Sequence, residues 1–260
     1  MMFNINDYFL TLLPLLSLAT FGWLLSLKHQ NVTVVDSLWA IFFLIASCTS
    51  MFLSHTGSDR SFLLLGLVTI WSLRLSIHLH LRNHNKPEDH RYQAIRLRNE
   101  PNFKYKSLYL VFILQAVLAW IISLPLFVSA QSSNPMNVLD SIGIMVWLIG
   151  MGFQVIGDNQ LTQFKAKADN QGKVLNTGLW RFTRHPNYFG ESCIWFGYGI
   201  MAAASGHYWT IISPIFMTYL LVKVTGAELL ESEIGKRRPE YKTYINKTNR
   251  FFPWFPKDTG

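Results

Sequence analysis

Long apolar runs alternate with polar connections along the whole chain, at about 8–27, 34–54, 61–82, 107–130, 138–158, 187–205 and 209–226. A bilayer-crossing helix needs roughly 20 mostly apolar residues. The pattern therefore predicts an all-α, polytopic membrane protein with seven transmembrane helices. The sixth run is short, and the seventh carries Lys223. No internal repeat is visible. The chain reads as a single integral membrane domain, 1–260, with four spans in 1–130 and three in 131–260. The first run has no Lys or Arg before Lys28 and is too long for a signal peptide, so it is expected to stay as a mature span.

Composition agrees: half the residues are apolar and only 15% are charged, which excludes an ordinary soluble domain. A pI near 9.5 suggests nucleic acid only until the charges are placed. Of the 23 Lys and Arg residues, all but Arg60, Arg74 and Lys223 fall on one side of the expected spans. By the positive-inside rule the N-terminus lies outside and the C-terminus in the cytoplasm. The basic balance then reflects topology, and nucleic acid drops out as a partner. Cys48 and Cys193 both lie in apolar runs, so no disulfide framework is indicated.

Candidate chemistry concentrates in Asn176–Trp195, NTGLWRFTRHPNYFGESCIW. Pro186 suits the first turn of a helix, here expected from Pro186 to about Ser205. The free N–H groups of that turn, with Arg181 and Arg184, would make an anion site beside His185. Asn187, Glu191 and Trp195 come at spacings of four and share one helix face. Gly190 permits a close approach to the backbone. A basic juxtamembrane anchor would explain the two arginines, but not a glutamate one turn inside an apolar run.

Ionisable groups near or inside spans are costly and usually functional. Asp36, Arg74, His78, His80, Asp158, Glu191, Lys223 and Glu228 all fall toward the expected cytoplasmic side. They suggest a polar cavity open to the cytoplasm, although end-of-helix snorkelling accounts for Lys223. In KPEDHRYQAIR, Pro87 marks an expected helix start with Glu88 and Asp89 in its first turn. Glu88–Tyr92 and Tyr92–Arg96 are i, i+4 pairs, and both an interfacial amphipathic helix held by its own salt bridges and a site role for Tyr92 stay open. In the tail, Lys236, Arg237 and Arg238 fit a phosphate or a solvated face on anionic lipid. Tyr241, Tyr244 and an aromatic-proline end come after them. His80 and His84 have HxxxH spacing, but the chain has no second paired cluster beyond them, so no metal is expected.

The run GLWRFTRHPNYFGESCIWFGYG resembles the signature of the steroid 5-alpha-reductase C-terminal-like membrane proteins and the matching segment of sterol C14-reductases. NVTVVDSLW, RLSIHLHLRNHNKPEDHRYQAIR, DNQLTQFKAKADNQGKV, SPIFMTYLLVKVTGAELLE, PEYKTY and FFPWFPK resemble a bacterial branch of that superfamily. The resemblance implies an NADPH-dependent reductase of an activated carbon–carbon double bond, an enone, in a steroid-like or other lipid. It implies cofactor contacts from Asn187 and Glu191, and from Asp158 with Lys165 seven positions on. With the anion-site and tail residues, the expected cofactor-binding set is Asp158, Lys165, Arg181, Arg184, His185, Asn187, Tyr188, Glu191, Tyr241 and Tyr244. The catalytic candidates are Asp36 and Tyr92, in the N-terminal, substrate-side half. The implied location is a bacterial inner membrane with the cofactor site facing the cytoplasm; an endoplasmic-reticulum protein would look much the same. The implied partners are a hydrophobic lipid-like substrate and membrane lipids, with no protein partner indicated.

Two other classes stay open. Membrane isoprenylcysteine and phospholipid methyltransferases carry an RHP-x8-W pattern, which His185-Pro186 to Trp195 also fits. They bind S-adenosylmethionine, and Glu228 with Glu231 could hold its ammonium group. A non-catalytic lipid-binding or transport protein is the third class, but transporters usually place polar groups near the bilayer midplane.

Overall fold

The structure is a computed structural model that describes residues 3–54, 57–224, 231 and 240–257. Among the described residues there are helices and no strands. They comprise α1 (Ile5–Leu10), α2 (Leu12–His29), α3 (Val34–Ser54), α4 (Asp59–Asn83), α5 (His90–Asn99) and α6 (Phe103–Ser107). After these come α7 (Leu114–Ile122), α8 (Leu124–Ala130), α9 (Val138–Ala166), α10 (Pro186–Ala204), α11 (Ile212–Tyr219) and α12 (Glu240–Lys247). In lipid every backbone polar group must be satisfied within the chain, which is why apolar runs of this length become helices. Five stretches are long and apolar enough to cross a membrane: Ile5–His29, Val34–Ser54, Asp59–Asn83, Phe103–Ile122 and Val138–Ala166. This is the architecture of a polytopic integral membrane protein.

Helix ends differ from the sequence pattern in instructive ways. The fifth run was expected to end at Asp158, but α9 continues two turns further to Ala166, because Asn159, Gln160 and Gln163 are polar without breaking a helix. The fourth run is interrupted at Ser123, where Pro125 opens α8 as a new helix. Its first part carries a π-helical turn at Leu108–Ile113. The expected helix start at Pro87 moves to Asp89, whose side chain caps α5 by accepting from Arg91 N. The sixth and seventh runs do form helices, α10 and the stretch Tyr208–Val224. Tyr208–Val224 is shorter than the five spans, and α10 carries Asn187 and Glu191.

Two compact units are found: Met1–Asn137 with Ser205–His207, and Val138–Ala204 with Tyr208–Gly260. In the first, Leu15, Phe42, Phe43, Trp71, Phe112 and Phe127 are fully buried between α2, α3, α4, α7 and α8. Tyr8 and Trp120 stack and exchange hydrogen bonds, Tyr8 Oη donating to the Trp120 carbonyl at 2.6 Å and Trp120 Nε1 to the Tyr8 carbonyl at 2.9 Å. Arg60 is fully buried, donating to Ser132 Oγ and the carbonyls of Asn134 and Pro135 at 2.9–3.0 Å. A charge at the end of a span is thus absorbed by a turn of backbone acceptors.

The second unit is built on a glycine seam between α9 and α10. Gly143, Gly150 and Gly157 recur every seven residues on α9, as Gly190 and Gly197 do on α10. A Cβ on Gly150 would lie 2.5 Å from the Gly190 carbonyl oxygen, and one on Gly143 would lie 2.8 Å from that of Gly197. The pairing runs in opposite directions along the two helices, so they are antiparallel. Small residues at such a seam let two backbones touch, and close packing of this kind helps drive helix association in lipid. The seam also positions the polar residues at its end. Gly157 faces Pro186 and Asn187, so Asp158 and Asn187 meet where α9 and α10 lie side by side.

Candidate functional site

The expected site residues form separate clusters. In the first unit, Tyr92 on α5 donates from Oη to Asp36 Oδ1 on α3 at 2.6 Å. Arg91 reaches Asp36 Oδ2 at 3.1 Å, and Arg82 stands 3.9 Å from the same oxygen. Gln115 Nε2 on α7 donates to Tyr92 Oη at 3.1 Å. Both catalytic candidates are therefore brought together. Sequence reading missed Gln115; a lone amide inside an apolar run was the available signal. Burial pushes the Tyr92 hydroxyl well above its usual range, and the Asp36 carboxylate adds to that. The phenol thus stays protonated and can only give its hydrogen as a shared one.

The segment around this pair is stitched by its own polar groups. Glu88 accepts from Arg96 at 2.8 Å and from Val32 N at 3.0 Å, and Asp89 N donates to Thr33 Oγ1 at 2.9 Å. The partner of Glu88 is thus Arg96, eight residues on, and not Tyr92 at i+4 as the spacing suggested. Burial opposes ionisation of Glu88, yet the hydrogen bonds from Arg96 and Val32 hold it below the usual carboxylate range.

In the second unit, Asn187 Nδ2 donates to Asp158 Oδ1 at 3.2 Å. Asp158 is buried, while Asn187 and Tyr188 are half-buried. One turn further along α10, Glu191 is buried and both its oxygens are occupied. Trp195 Nε1 donates to Oε1 at 3.0 Å, and Gln154 Nε2 donates to Oε2. Gln154 was not singled out from sequence, although it lies four residues before Asp158 on the same face of α9. The ring of Tyr188 lies parallel to that of His185, with centroids 5.4 Å apart.

Arg184 and His185 turn toward the C-terminal segment. Arg184 Nε donates to Glu231 Oε1 at 2.7 Å, and Arg184 Nη1 to the carbonyls of Ile245 and Thr248 at 3.0 and 2.7 Å. His185 Nε2 is 2.9 Å from Glu231 Oε1, and Arg250 Nε is 3.5 Å from Oε2. Burial raises the Glu231 pKa, but the His185 and Arg184 hydrogen bonds outweigh it and hold the carboxyl at about 2. Tyr241, pushed up to about 12 by burial, lies close by. Tyr244 donates to the Trp180 carbonyl. Of the expected anion-binding arginines, Arg184 is thus held by carboxylate and carbonyl groups, while Arg181 and Lys165 are exposed. Glu228, Lys236, Arg237 and Arg238 lie outside the described residues. No group of His, Cys, Asp and Glu among the described residues could hold a metal ion.

With this geometry in hand, comparison with known proteins places the chain. Residues 22–248 match the family described as protein of unknown function, DUF1295. The chain belongs to this family. The DUF1295 chain is also 24% identical to an uncharacterized protein of Schizosaccharomyces pombe, over 96% of its own length and 81% of the relative's. A steroid 5-alpha-reductase of Gossypium hirsutum, DET2, is 36% identical over 59 residues, 23% of each chain. A 3-oxo-5-alpha-steroid 4-dehydrogenase of Macaca fascicularis is 27% identical over 116 residues, 45% of this chain and 37% of the relative. The resemblance to steroid 5-alpha-reductases noted in the sequence is borne out. The matches to those two enzymes span well under half of their length.

Proposed function

We propose that the protein is a membrane oxidoreductase that reduces an activated carbon–carbon double bond, an enone, in a steroid-like or other lipid, with NADPH as reductant. The observation that carries the proposal is the Asp158–Asn187–Glu191 cluster, set in a segment that resembles the reductase signature. The similarity to the Gossypium and Macaca enzymes supports the same class.

The donor set suits a dinucleotide. A buried carboxylate beside an amide, Asp158 with Asn187, matches ribose hydroxyls and a carboxamide. The parallel His185–Tyr188 pair offers an aromatic surface, and exposed Lys165 and Arg181 offer charge for phosphates. NADPH, when bound, supplies the hydride. The residues of the chain do the rest. In the second unit Gln154 and Trp195 fix Glu191; in the first, Tyr92, supported by Gln115, turns its one hydroxyl hydrogen from Asp36 to a substrate carbonyl. The proposed topology keeps all seven spans, with the N-terminus outside and the cofactor-binding residues facing the cytoplasm.

The methyltransferase alternative rests on Glu228 and Glu231 as ammonium ligands. Glu231 is already engaged by Arg184 and His185, so its carboxylate is committed within the chain instead of open to a ligand ammonium. The test is cofactor binding by detergent-purified protein, comparing NADPH, NADH and S-adenosylmethionine by thermal shift and tryptophan quenching. Selective NADPH binding is the expected result. Selective S-adenosylmethionine binding would overturn the proposal, and binding of none would favour a non-catalytic lipid-binding protein.

A further inference from the structure

The C-terminal segment beyond α12 forms a hook of non-helical chain. It is pinned by backbone bonds: Arg184 N to the Asn249 carbonyl at 2.9 Å, Trp254 N to the Phe182 carbonyl at 3.0 Å, and Lys257 N to the Lys247 carbonyl at 2.8 Å. Thr183 Oγ1 adds a bond to the Phe251 carbonyl at 2.8 Å. Pro253 and Pro256 stiffen it. Phe251 turns inward against Phe189. Its neighbours turn outward: Phe252, Trp254 and Phe255 are 73%, 71% and 72% exposed.

Such exposure is ordinary on a span, where lipid covers the side chain, as it would Phe62 or Ile77 on α4. This trio lies on no spanning helix. A fixed, well-bonded chain that presents three large aromatics outward has a large apolar patch to cover. Its position says what covers it. The hook pairs with residues 182–184, in the connection between the end of α9 and the start of α10, so it sits at the mouth of a span. Lys247 and Lys257, on either side of the aromatic trio, are exposed. Aromatic rings beside lysines are what the boundary between water and membrane selects.

We propose that the hook is an interfacial anchor: Phe252, Trp254 and Phe255 insert into the headgroup–acyl boundary of the bilayer, with Lys247 and Lys257 among phospholipid phosphates. This rests on the second unit alone and is independent of the reductase reading. Its consequence is a direct link from the lipid surface to Thr183 and Arg184, since the same short segment carries both the aromatic trio and the bonds to those two residues.

The test is a nitroxide label at Trp254→Cys, in protein whose Cys48 and Cys193 are replaced by Ser, reconstituted in phospholipid nanodiscs. A label at Lys242→Cys, on the exposed face of α12, reports water. Collision with a water-soluble nickel chelate should be several-fold lower at 254 than at 242, and collision with oxygen higher. Adding Phe252→Ser and Phe255→Ser, whose rings also meet Phe189 and Phe182 edge-on, should return the 254 label to water with only a small fall in melting temperature. Equal accessibility at 254 and 242 overturns the proposal. So does protection at 254 accompanied by spin–spin broadening between labels, which assigns the patch to a second copy of the chain.

Discussion

Tyr92 and Asp36, 56 positions apart, share a hydrogen bond of 2.6 Å, and Arg91 next to Tyr92 contacts the other oxygen of the same carboxylate. One short helix thus delivers both a phenol and a guanidinium to a single acid at the start of a span. The acid has a cation on one oxygen, and on the other a phenol that stays protonated.

The first prediction concerns that phenol. Tyr92→Phe removes the hydroxyl and keeps the ring, so Asp36 retains Arg91 while Gln115 loses its acceptor. The loss should be about 1–3 kcal/mol, read as a lower melting temperature in detergent. If Tyr92 is the proton-sharing donor to a substrate carbonyl, turnover of an enone lipid should fall far more than stability does. Gln115→Leu should weaken turnover less, because it positions the phenol and touches no substrate.

The glycine seam gives a sharper structural test. Gly190→Ala places a methyl 2.5 Å from the Gly150 carbonyl oxygen and 2.6 Å from Gln154 N, so α9 and α10 must separate. Overpacking of this kind costs about 1–3 kcal/mol or more, and it should also disturb the Asp158–Asn187 contact. Gly152→Ala on α9 meets nothing within 4 Å. It should be neutral or slightly stabilising, since alanine is the better helix former. Equal melting temperatures for the two variants would contradict the seam.

Glu191→Gln separates folding from cofactor binding. Trp195 can still donate to the new amide oxygen, and Gln154 can turn its own amide over to accept from the new amide nitrogen. Both hydrogen bonds survive and only the charge is lost. Stability should change by less than about 1 kcal/mol, while NADPH binding disappears. A variant that melts normally and still binds NADPH removes Glu191 from the proposed cofactor cluster.

Hydropathy made the spans readable because a bilayer imposes one length on them, but it is blind to where helices continue in water. That is why the last two turns of α9 escaped, although Gln160 and Gln163 are sound helix residues. The contacts of the site were legible unevenly. Asn187 and Glu191 share a face by spacing alone, whereas the meeting of Asp158 with Asn187 depends on a glycine seam that no local pattern reveals. Gln154 and Gln115 were passed over because uncharged amides carry little signal in a search for ionisable groups. The Arg184–Glu231 pair, 47 residues apart, is set by how the tail folds back, and spacing says nothing about it.

That pair supplies the pH prediction. In the folded protein His185 and Arg184 hold the Glu231 carboxyl at about 2, against an ordinary value of 4.5. As pH falls, the unfolded chain takes up the proton first. The contribution of Glu231 to stability is therefore complete above pH 4.5, declines as pH drops from 4.5 toward 2, and is gone below that. Arg184, Arg250 and His185 face the carboxylate throughout this window, and Tyr241 stays neutral in it. Glu231→Gln removes the titrating group while keeping an acceptor oxygen for Arg184. Wild-type protein should melt above the variant near neutral pH, and the gap should close as the solution is acidified below the ordinary carboxylate value of 4.5. A gap that stays constant with pH would mean that Glu231 contributes through shape and hydrogen bonding alone, with no charge held against the two arginines.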